Sequence, residues 1–370
     1  MTDSPQDPFS APISEPLKRA RDRLYSISGG NARSGDVTLA RLTTAQRTDY
    51  FKSVDFRAWV AFEKAAGRQV FWLKDVDKTQ AAGDIFTFFF DWRMRNNKFS
   101  RPQLKAISKY LQFRRGKMLG AGIALTRAAC ALAGNLPQFA ELTPAAALRL
   151  WQQKEDGGEG IGMLDLWSNV YWPSQIGMTR EEKLAQVQAF APTYASRIYP
   201  GVKEENLALA DAGVEVVIVT NGDQELAIAV APFMGVKPEN VVGSHLKYDG
   251  EHSTGENHTY EVLAEEWASR PQPGKPLSFH YWIYMNRKRW GWDHLDEHQI
   301  VIAGRDGDSA SSDGGMMIFL PTPAIGNFMV DTPGEPQRLK KFQSVTSKYG
   351  WTKGQFFTLV QSPSRNGWKP

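Results

Sequence analysis

The second half of the chain alternates segments that favour helix with short β-branched runs, and this alternation constrains the fold most. An amphipathic run after Pro200 ends at Gly213, and the apolar segment 214–219 follows directly. Further helices are predicted at 223–234 and 259–269, and short strands at 241–242, 300–303, 317–320 and 327–330. Helices that alternate with mostly apolar strands predict an α/β fold, in which a parallel sheet is covered on both faces.

The first half has a different pattern. The apolar segment 69–73 predicts a strand, whereas residues 80–195 are mostly helix-forming, with Thr179 and Glu182 spaced as a capping box. If 69–73 and 214–219 share one sheet, the block between them is a helical domain inserted into the sheet domain. The predicted organisation is a disordered or extended tail at 1–35, a Rossmann-like core at 36–79 and 196–370 with terminal extensions, and a helical cap at 80–195.

Composition narrows the class of protein. The single cysteine, Cys130, excludes a disulfide framework and a multi-cysteine zinc site, and the net charge of +4 is mild. The first residues lack the pattern of a secretory signal, and the weakly apolar stretch 118–134 falls short of the roughly 20 residues needed to span a bilayer. These features predict a cytoplasmic protein without a membrane segment.

Polar residues follow three of the predicted strands. Asp75 and Asp77 follow the first strand, Thr220-Asn221-Gly222 follows the second, and Asp308 and Asp313 follow the strand at 300–303. Because sites in open parallel sheets lie at the carboxyl ends of the strands, we expect these residues to lie together. Their oxygen atoms suit Mg²⁺ and a bound phosphoryl group.

A metal would offset the repulsion between the paired carboxylates Asp75 and Asp77. With the phosphate charge neutralised, one carboxylate can attack phosphorus while the other donates a proton to the leaving oxygen and later accepts one from water. The pattern therefore favours hydrolysis of a phosphomonoester.

Four motifs in this order resemble the haloacid dehalogenase-like (HAD) superfamily of phosphohydrolases. They are Asp75-Val-Asp77-Lys-Thr79, Thr220, Lys275 in Pro-Gly-Lys-Pro, and Gly307-Asp308 through Asp313. The resemblance covers about residues 65–330. The helical block is similar to the cap that this superfamily carries in the position called C1. The loop 307–316 is most similar to the phosphoserine phosphatase and phosphorylcholine phosphatase branch.

The resemblance implies a role for each matched residue. Asp75 would be the nucleophile and a metal ligand, and Asp77 would be the acid/base that offers its carbonyl oxygen to Mg²⁺. Lys275 would stabilise the phosphoryl charge. Phosphate contacts would come from Thr220 and its neighbours Asn221 and Gly222, with Thr79 fixing the loop. Asp308 would bind the metal, and Asp313 would complete the metal site by supporting the ligands or by binding through water. The implied substrate is a small phosphorylated metabolite of the phosphorylcholine or phosphoserine type.

Two residues leave questions within this resemblance. The family usually has an apolar or aromatic residue before the nucleophile, and this chain has Lys74. A cation there could depress the pKa of Asp75 or point to solvent. The segment between Lys275 and Asp308 is long, so Lys288 is an alternative catalytic lysine.

Other functions are compatible with parts of the sequence. The basic-aromatic runs near Arg114 and Arg287 could bind nucleic acid, although short basic runs are usually solvated faces. His294 and His298 have the spacing of an inverted zinc-protease motif, but a strand is predicted to begin at residue 300. A non-catalytic HAD-fold module is a further alternative. Aromatic faces attract quaternary ammonium groups, so rings in the helical block could bind a choline group. Alternatively, these rings form the core of the helical block. They include Trp92, Trp151, Trp167, Tyr171 and Trp172.

Overall fold

The computed structural model describes residues 13–28, 41–119, 143–258, 274–308, 313, 316, 320, 323–331 and 356–360. In helix 101–119 it describes side chains only up to residue 111. In strand 356–360 it describes the backbone only. The helix predicted at 259–269 and most of the strand predicted at 317–320 lie outside this part of the chain.

The described strands form one mostly parallel sheet. They are β1 (Arg41–Thr43), β2 (Gln69–Lys74), β3 (Glu215–Asp223), β4 (Val241–Asp249), β5 (His252–His258), β6 (Ile300–Gly307), β7 (Gly326–Asp331) and β8 (Phe356–Val360). Their order is β1-β8-β7-β6-β2-β3-β4-β5, and only β4 and β5 pair antiparallel. The predicted α/β fold with a parallel sheet is confirmed.

Helices cover both faces of this sheet and fill the interval between β2 and β3. The α-helices in the described residues are α1 (Glu15–Ser28), α2 (Thr44–Lys52), α3 (Val54–Ala65), α4 (Ile85–Arg95), α5 (Arg101–Leu119), α6 (Pro144–Glu155), α7 (Met163–Leu166), α8 (Arg180–Tyr194), α9 (Val202–Asp211), α10 (Gln224–Val230) and α11 (Gly274–Asn286). A π-helical turn, Trp167–Tyr171, follows α7.

The central strand β2 is buried on both faces because both of its alternating side-chain sets are apolar. Val70 and Trp72 belong to the larger core cluster, which includes α3. Phe71 and Leu73 face a second cluster that contains Phe279 of α11. The β2 strand therefore sits between two helical layers, and its carboxyl end opens toward the predicted site.

Three strands were not predicted, and β3, β4 and β6 extend several residues beyond their predicted ends. The sequence predicts a strand at 241–242 only, whereas β4 extends to Asp249 and pairs with β5 as a hairpin. The β5 strand, His-Ser-Thr-Gly-Glu-Asn-His, is polar, so it lacks the apolar pattern used for prediction. Its backbone hydrogen bonds to the edge of β4 create the strand. The short β1 and the distant β8 pair with each other at the opposite edge.

The prediction of a disordered or extended tail at 1–35 is wrong for residues 15–28, which form α1. Ala20 and Leu24 on one face of this helix are buried in the main core. On the same helix the Arg21 side chain donates from Nε to the carbonyl oxygen of Ala324 at 2.7 Å. The apolar face of α1 therefore packs against parts of the core that are distant in sequence, and this burial stabilises the helix.

The described part of residues 80–195 forms helices α4 to α8 and their connecting turns. The interior of this segment is strongly aromatic. For example, Phe86 packs against Trp167 and Tyr171 with ring centroids 4.7 and 5.2 Å apart. The segment lies in sequence between β2 and β3, which are neighbours in the sheet. Helical content is therefore as predicted, and the exact domain boundaries at 80 and 195 stay a prediction.

Candidate active site

The loop after β2 turns tightly and fixes the backbone of Asp75. The Gln80 amide donates to the Val76 carbonyl oxygen at 2.9 Å, and the Gln80 side chain donates to the Asp75 carbonyl oxygen, also at 2.9 Å. The Asp75 amide donates to the carbonyl oxygen of Asp306 on β6 at 3.1 Å. Both sides of the Asp75 peptide are thus held by hydrogen bonds.

The turn depends on an unusual backbone conformation at Lys78, whose φ of 57° lies in the left-handed region. This residue is followed by the buried Thr79, whose amide donates to the Val76 carbonyl oxygen at 3.3 Å. Thr79 therefore lies in the loop after β2, whose geometry it is predicted to fix.

Three acidic side chains meet at the carboxyl end of the sheet, as the sequence predicts. The three residues are Asp75, Asp308 and Asp313, and all of them are buried. One carboxylate oxygen from each lies within 4.8 Å of the other two. The Asp308 amide donates to Asp313 Oδ2 at 2.8 Å, which ties the two acids of one loop together. A Cβ at Gly307 would lie 2.7 Å from Asp313 Oδ2, so only glycine fits there.

Lys275 completes this cluster. It lies in the first turn of α11 and is buried, with Nζ 2.7 Å from Asp75 Oδ1 and in contact with Asp313 Oδ1. Lys288 is exposed instead and pairs with Asp293 at 2.7 Å. Of the two lysines that the sequence left open, only Lys275 reaches the acidic cluster.

The cluster contains more acidic than basic groups, and all of them are buried. Burial raises the pKa of Asp75 to about 6, against the attraction of Lys275 and with the repulsion of Asp313. Burial lowers the pKa of Lys275, but Asp313 and Asp75 reverse this and raise it above its usual value. One lysine faces three buried carboxylates, so a bound cation would offset the remaining repulsion. The all-oxygen donor set fits Mg²⁺.

Asp77 lies beside the cluster but faces the helical segment. Its Oδ1 accepts the amide hydrogen of Ile85, the first residue of α4, at 2.8 Å. Burial, with repulsion from Asp84 and Asp75, raises the pKa of Asp77 well above its ordinary value. A carboxyl group whose pKa is raised holds its proton more tightly than an ordinary aspartate, which suits a general acid.

The end of β3 brings the predicted phosphate-binding residues next to Asp77. Thr220 is buried, and its Oγ1 accepts the Gly222 amide hydrogen at 2.9 Å. A Cβ on Gly222 would lie 3.5 Å from Asp77 Oδ2, so the end of β3 lies close to the Asp77 carboxyl group. The Asn221 carbonyl oxygen accepts a hydrogen bond from Ser244 at 2.9 Å. The predicted residues therefore converge here.

Lys74 belongs to a buried ion-pair network on the opposite face of the sheet. Its Nζ contacts Glu205 of α9 and lies 3.3 Å from Asp306 Oδ2 on β6. Arg47 of α2 pairs with the same two acids at 3.1 and 2.8 Å. Trp72 donates to Asp306 Oδ1 at 2.9 Å. The question that Lys74 raised is resolved, because this side chain points away from the nucleophile.

Sequence reasoning assigned no role to Asp306, which lies two residues before Asp308. Lys74 and Asp306 are register partners on neighbouring parallel strands, so their side chains share one face. Burial disfavours the charged carboxylate of Asp306, yet Arg47 and Lys74 outweigh this and lower its pKa. The signal that could have identified Asp306 is its opposite charge to Lys74, which lies on the neighbouring strand.

The alternative zinc motif does not form a helical face. Glu297 and His298 lie in a 3₁₀ turn that spans Glu297–Gln299, and His294 lies in the loop before it. Both histidines are exposed. Within the described residues no helix is long and apolar enough to cross a membrane.

Comparisons with known proteins give similarity in solved structures only. No family model and no curated protein matches the chain. Solved structures that match include a protein with unknown function from Bordetella pertussis Tohama I, at 12% identity over 79% of this chain and 98% of that one, with a TM-score of 0.47. Another is a phosphoserine phosphohydrolase-like protein from Francisella tularensis, at 14% identity over 74% and 92% of the two chains and a TM-score of 0.37.

A third match is a HAD family hydrolase from Salmonella enterica serovar Typhi, at 10% identity over 78% of this chain and 75% of that one, with a TM-score of 0.37. These are distant likenesses in fold. The fold and the site define an α/β protein with a buried acidic site at the carboxyl ends of β2 and β6.

Proposed function

We propose that the chain is a Mg²⁺-dependent phosphomonoester hydrolase that forms an aspartyl-phosphate on Asp75. The observation that carries the proposal is the convergence of Asp75, Asp308 and Asp313 within 4.8 Å, with Lys275 2.7 Å from Asp75. This combination offers a nucleophile, a cation site and a fixed positive charge in one buried place.

The metal site would consist of one oxygen each from Asp75, Asp308 and Asp313. Mg²⁺ bound there would neutralise the charge of the carboxylates and of a substrate phosphate. The resemblance to HAD phosphohydrolases adds the Asp77 carbonyl oxygen as a further ligand. The hydrogen bond between the Asp308 amide and Asp313 Oδ2 keeps two of the carboxylates together.

The proposed reaction proceeds in two displacements at phosphorus. In the first, a carboxylate oxygen of Asp75 forms a bond to phosphorus, the bond from phosphorus to the leaving oxygen breaks, and Asp77 gives that oxygen its proton. In the second, water attacks phosphorus, Asp77 takes a proton from the water, and the bond to Asp75 breaks. Inorganic phosphate leaves and both aspartates return to their starting state.

Two further residues would support these displacements. Lys275, positioned by Asp313, would place its charge against the phosphoryl oxygens while it also orients Asp75. The Thr220 hydroxyl accepts a hydrogen bond from the Gly222 amide, so its own hydrogen can be donated to a phosphoryl oxygen. The roles of Asn221 and Gly222 in phosphate binding are part of the same proposal.

The proposed substrate is a small phosphorylated metabolite of the phosphoserine or phosphorylcholine type. For a choline group the aromatic rings of the helical segment matter. Tyr171 and Trp172 are fully buried and already lie near an ammonium group, that of Lys183, at 5.7 and 5.9 Å from the ring centroids. Recognition of choline would therefore have to use other rings, such as the partly buried Trp92 or Trp167.

Turnover of a panel of small phosphomonoesters tests the proposal. Phosphate release from p-nitrophenyl phosphate, phosphoserine and phosphorylcholine would be measured with Mg²⁺ and with excess EDTA. We expect Mg²⁺-dependent release that Asp75→Asn abolishes. Asp293→Asn should retain it, because Asp293 is exposed and pairs with Lys288. Wild-type release by Asp75→Asn would rule out Asp75 as the nucleophile. No release by the native protein on any ester would favour a non-catalytic module of this fold.

A further inference from the structure

A second buried polar cluster joins the helical segment to the sheet at the end of β3. Asp223, the last residue of β3, accepts a hydrogen bond at Oδ2 from the Tyr171 hydroxyl. Lys183 of α8 binds the same oxygen and also contacts Gln175 Oε1. The side chains of Lys183 and Asp223 are almost fully inaccessible to solvent, at 1% and 0% exposure. We call Tyr171, Lys183 and Asp223 the clamp.

Each member of the clamp is held by further contacts. The Lys183 ammonium lies 5.2 Å from the centroid of the Phe89 ring, in addition to the rings of Tyr171 and Trp172. Asp223 Oδ1 caps α10 by accepting the amide hydrogens of Glu225 and Leu226 at 3.1 and 3.4 Å. Both oxygens of Asp223 are therefore used, one by the sheet domain and one by the helical segment.

The clamp adjoins Asp77 along two routes. On the helical side, the Tyr171 ring packs on Phe86 at 5.2 Å, and Phe86 follows Ile85, whose amide donates to Asp77 Oδ1 at 2.8 Å. On the sheet side, Asp223 follows Gly222, where a Cβ would lie 3.5 Å from Asp77 Oδ2. The two surfaces that enclose the Asp77 carboxyl group are thus the two surfaces that the clamp joins.

We propose that the clamp fixes the first turn of α4 against the end of β3 and thereby positions Asp77, which makes Lys183 a positioning residue for proton transfer. This inference rests on the proposed function. Breaking a buried ion pair leaves an uncompensated charge, so loss of Lys183 should displace the surfaces that meet there. Asp77 would then lose the amide that holds its carboxyl group in place.

The proposal predicts an effect that depends on the leaving group. Phenyl phosphate and p-nitrophenyl phosphate have similar shapes, but the phenolate leaving group is more basic and needs a proton more. In Lys183→Met, kcat/KM should fall further for phenyl phosphate than for p-nitrophenyl phosphate. The two losses should differ on the order of tenfold, because general acid catalysis contributes at least that much. A residue that only stabilises the fold would lower both values by the same factor.

Three variants and one physical measurement complete the design. Lys247→Met is the matched control, since Lys247 is an exposed lysine on β4 that pairs with Glu256 at 3.2 Å. Tyr171→Phe removes one hydroxyl from the clamp and keeps the ring, so it tests the proposal if Lys183→Met fails to fold. Asp223→Asn should reproduce the effect of Lys183→Met. Hydrogen–deuterium exchange of the peptide containing Ile85 reports whether the clamp holds the start of α4 in place, and this measurement does not depend on turnover.

Faster exchange at Ile85 in the clamp variants, together with the leaving-group effect, supports the proposal. Unchanged exchange, or equal losses for the two esters, overturns it. If the native protein hydrolyses neither ester, the proposed function fails, and the exchange measurement alone decides whether the clamp holds α4 against β3.

Discussion

Lys275 Nζ lies 2.7 Å from Asp75 Oδ1, although 200 residues separate them in sequence. The same ammonium group contacts Asp313, so one cation bridges the end of β2 and the loop after β6. A lysine whose charge is stabilised by two buried carboxylates is fixed in place before a substrate binds. Such preorganised charge is what stabilises a phosphoryl group during transfer.

Replacing Lys275 should remove this fixed charge. We expect Lys275→Met to lower kcat for p-nitrophenyl phosphate on the order of a hundredfold or more, since single preorganised donors contribute that much. Steady-state kinetics measures the loss. Lys288→Met should keep native kinetics because Lys288 is exposed and pairs with Asp293. The opposite order of the two variants would assign the catalytic lysine to Lys288.

Asp77→Asn should separate the two displacements. Asparagine cannot activate water, so the phosphorylated form of Asp75 should accumulate when a substrate with a good leaving group, such as p-nitrophenyl phosphate, is used. Intact-mass spectrometry of the quenched protein would detect one added phosphoryl group. Asp75→Asn serves as the control that cannot carry this group, and a labelled Asp75→Asn protein would place the nucleophile elsewhere.

Metal binding should be measurable without turnover. A cation that binds the folded state stabilises it by mass action, so Mg²⁺ should raise the Tm of the native protein in a concentration-dependent way. Asp308→Asn removes one of the converging oxygens and should weaken or abolish this rise. An equal rise in Asp308→Asn would show that Mg²⁺ binds at another place.

Lys74 should matter for stability and little for chemistry. Lys74→Met leaves the buried carboxylates of Glu205 and Asp306 with Arg47 as their remaining cation, and breaking such a network costs about 3–5 kcal/mol. Urea denaturation would measure the loss. The double variant Lys74→Met with Glu205→Gln should recover part of it, since one uncompensated charge is also removed. An additive loss in the double variant would contradict the network.

Glu225 should make the stability of the protein depend on pH. Burial, with repulsion from Asp223 and against the attraction of Lys183, raises the pKa of Glu225 from 4.5 to about 8. The folded state therefore binds the extra proton between these values, and stability falls as pH rises through that window. Neighbouring Tyr248 and Arg180 also face this region, and the pKa of Tyr248 is raised to about 12.

Glu225→Gln removes the titrating group and should flatten this decline. Thermal unfolding at pH values from about 5 to about 9 would compare the two proteins. The native Tm should fall more steeply with pH than the Tm of Glu225→Gln. Parallel curves for the two proteins would show that Glu225 ionises normally.

Much of the fold followed from local pattern. The apolar run before Asp75 predicts a buried strand, and the β-branched run before Thr220 predicts its neighbour, because both strands are covered on two faces. The polar strand β5 and the short β1 carry no such pattern, and they form only because a neighbouring edge supplies hydrogen-bond partners. Helix α1 likewise needed the distant core to bury Leu24.

Which acids follow which strands can be read from the sequence, and the carboxyl ends of parallel strands meet at one edge of a sheet. The convergence of Asp75, Asp308 and Asp313 could therefore be predicted. The partners of the lysines, in contrast, depend on the three-dimensional fold. Lys275 reaches the site, Lys74 pairs on the opposite face, and Lys183 joins the helical segment to Asp223. Such pairings depend on distances between segments far apart in the chain, which no local pattern encodes.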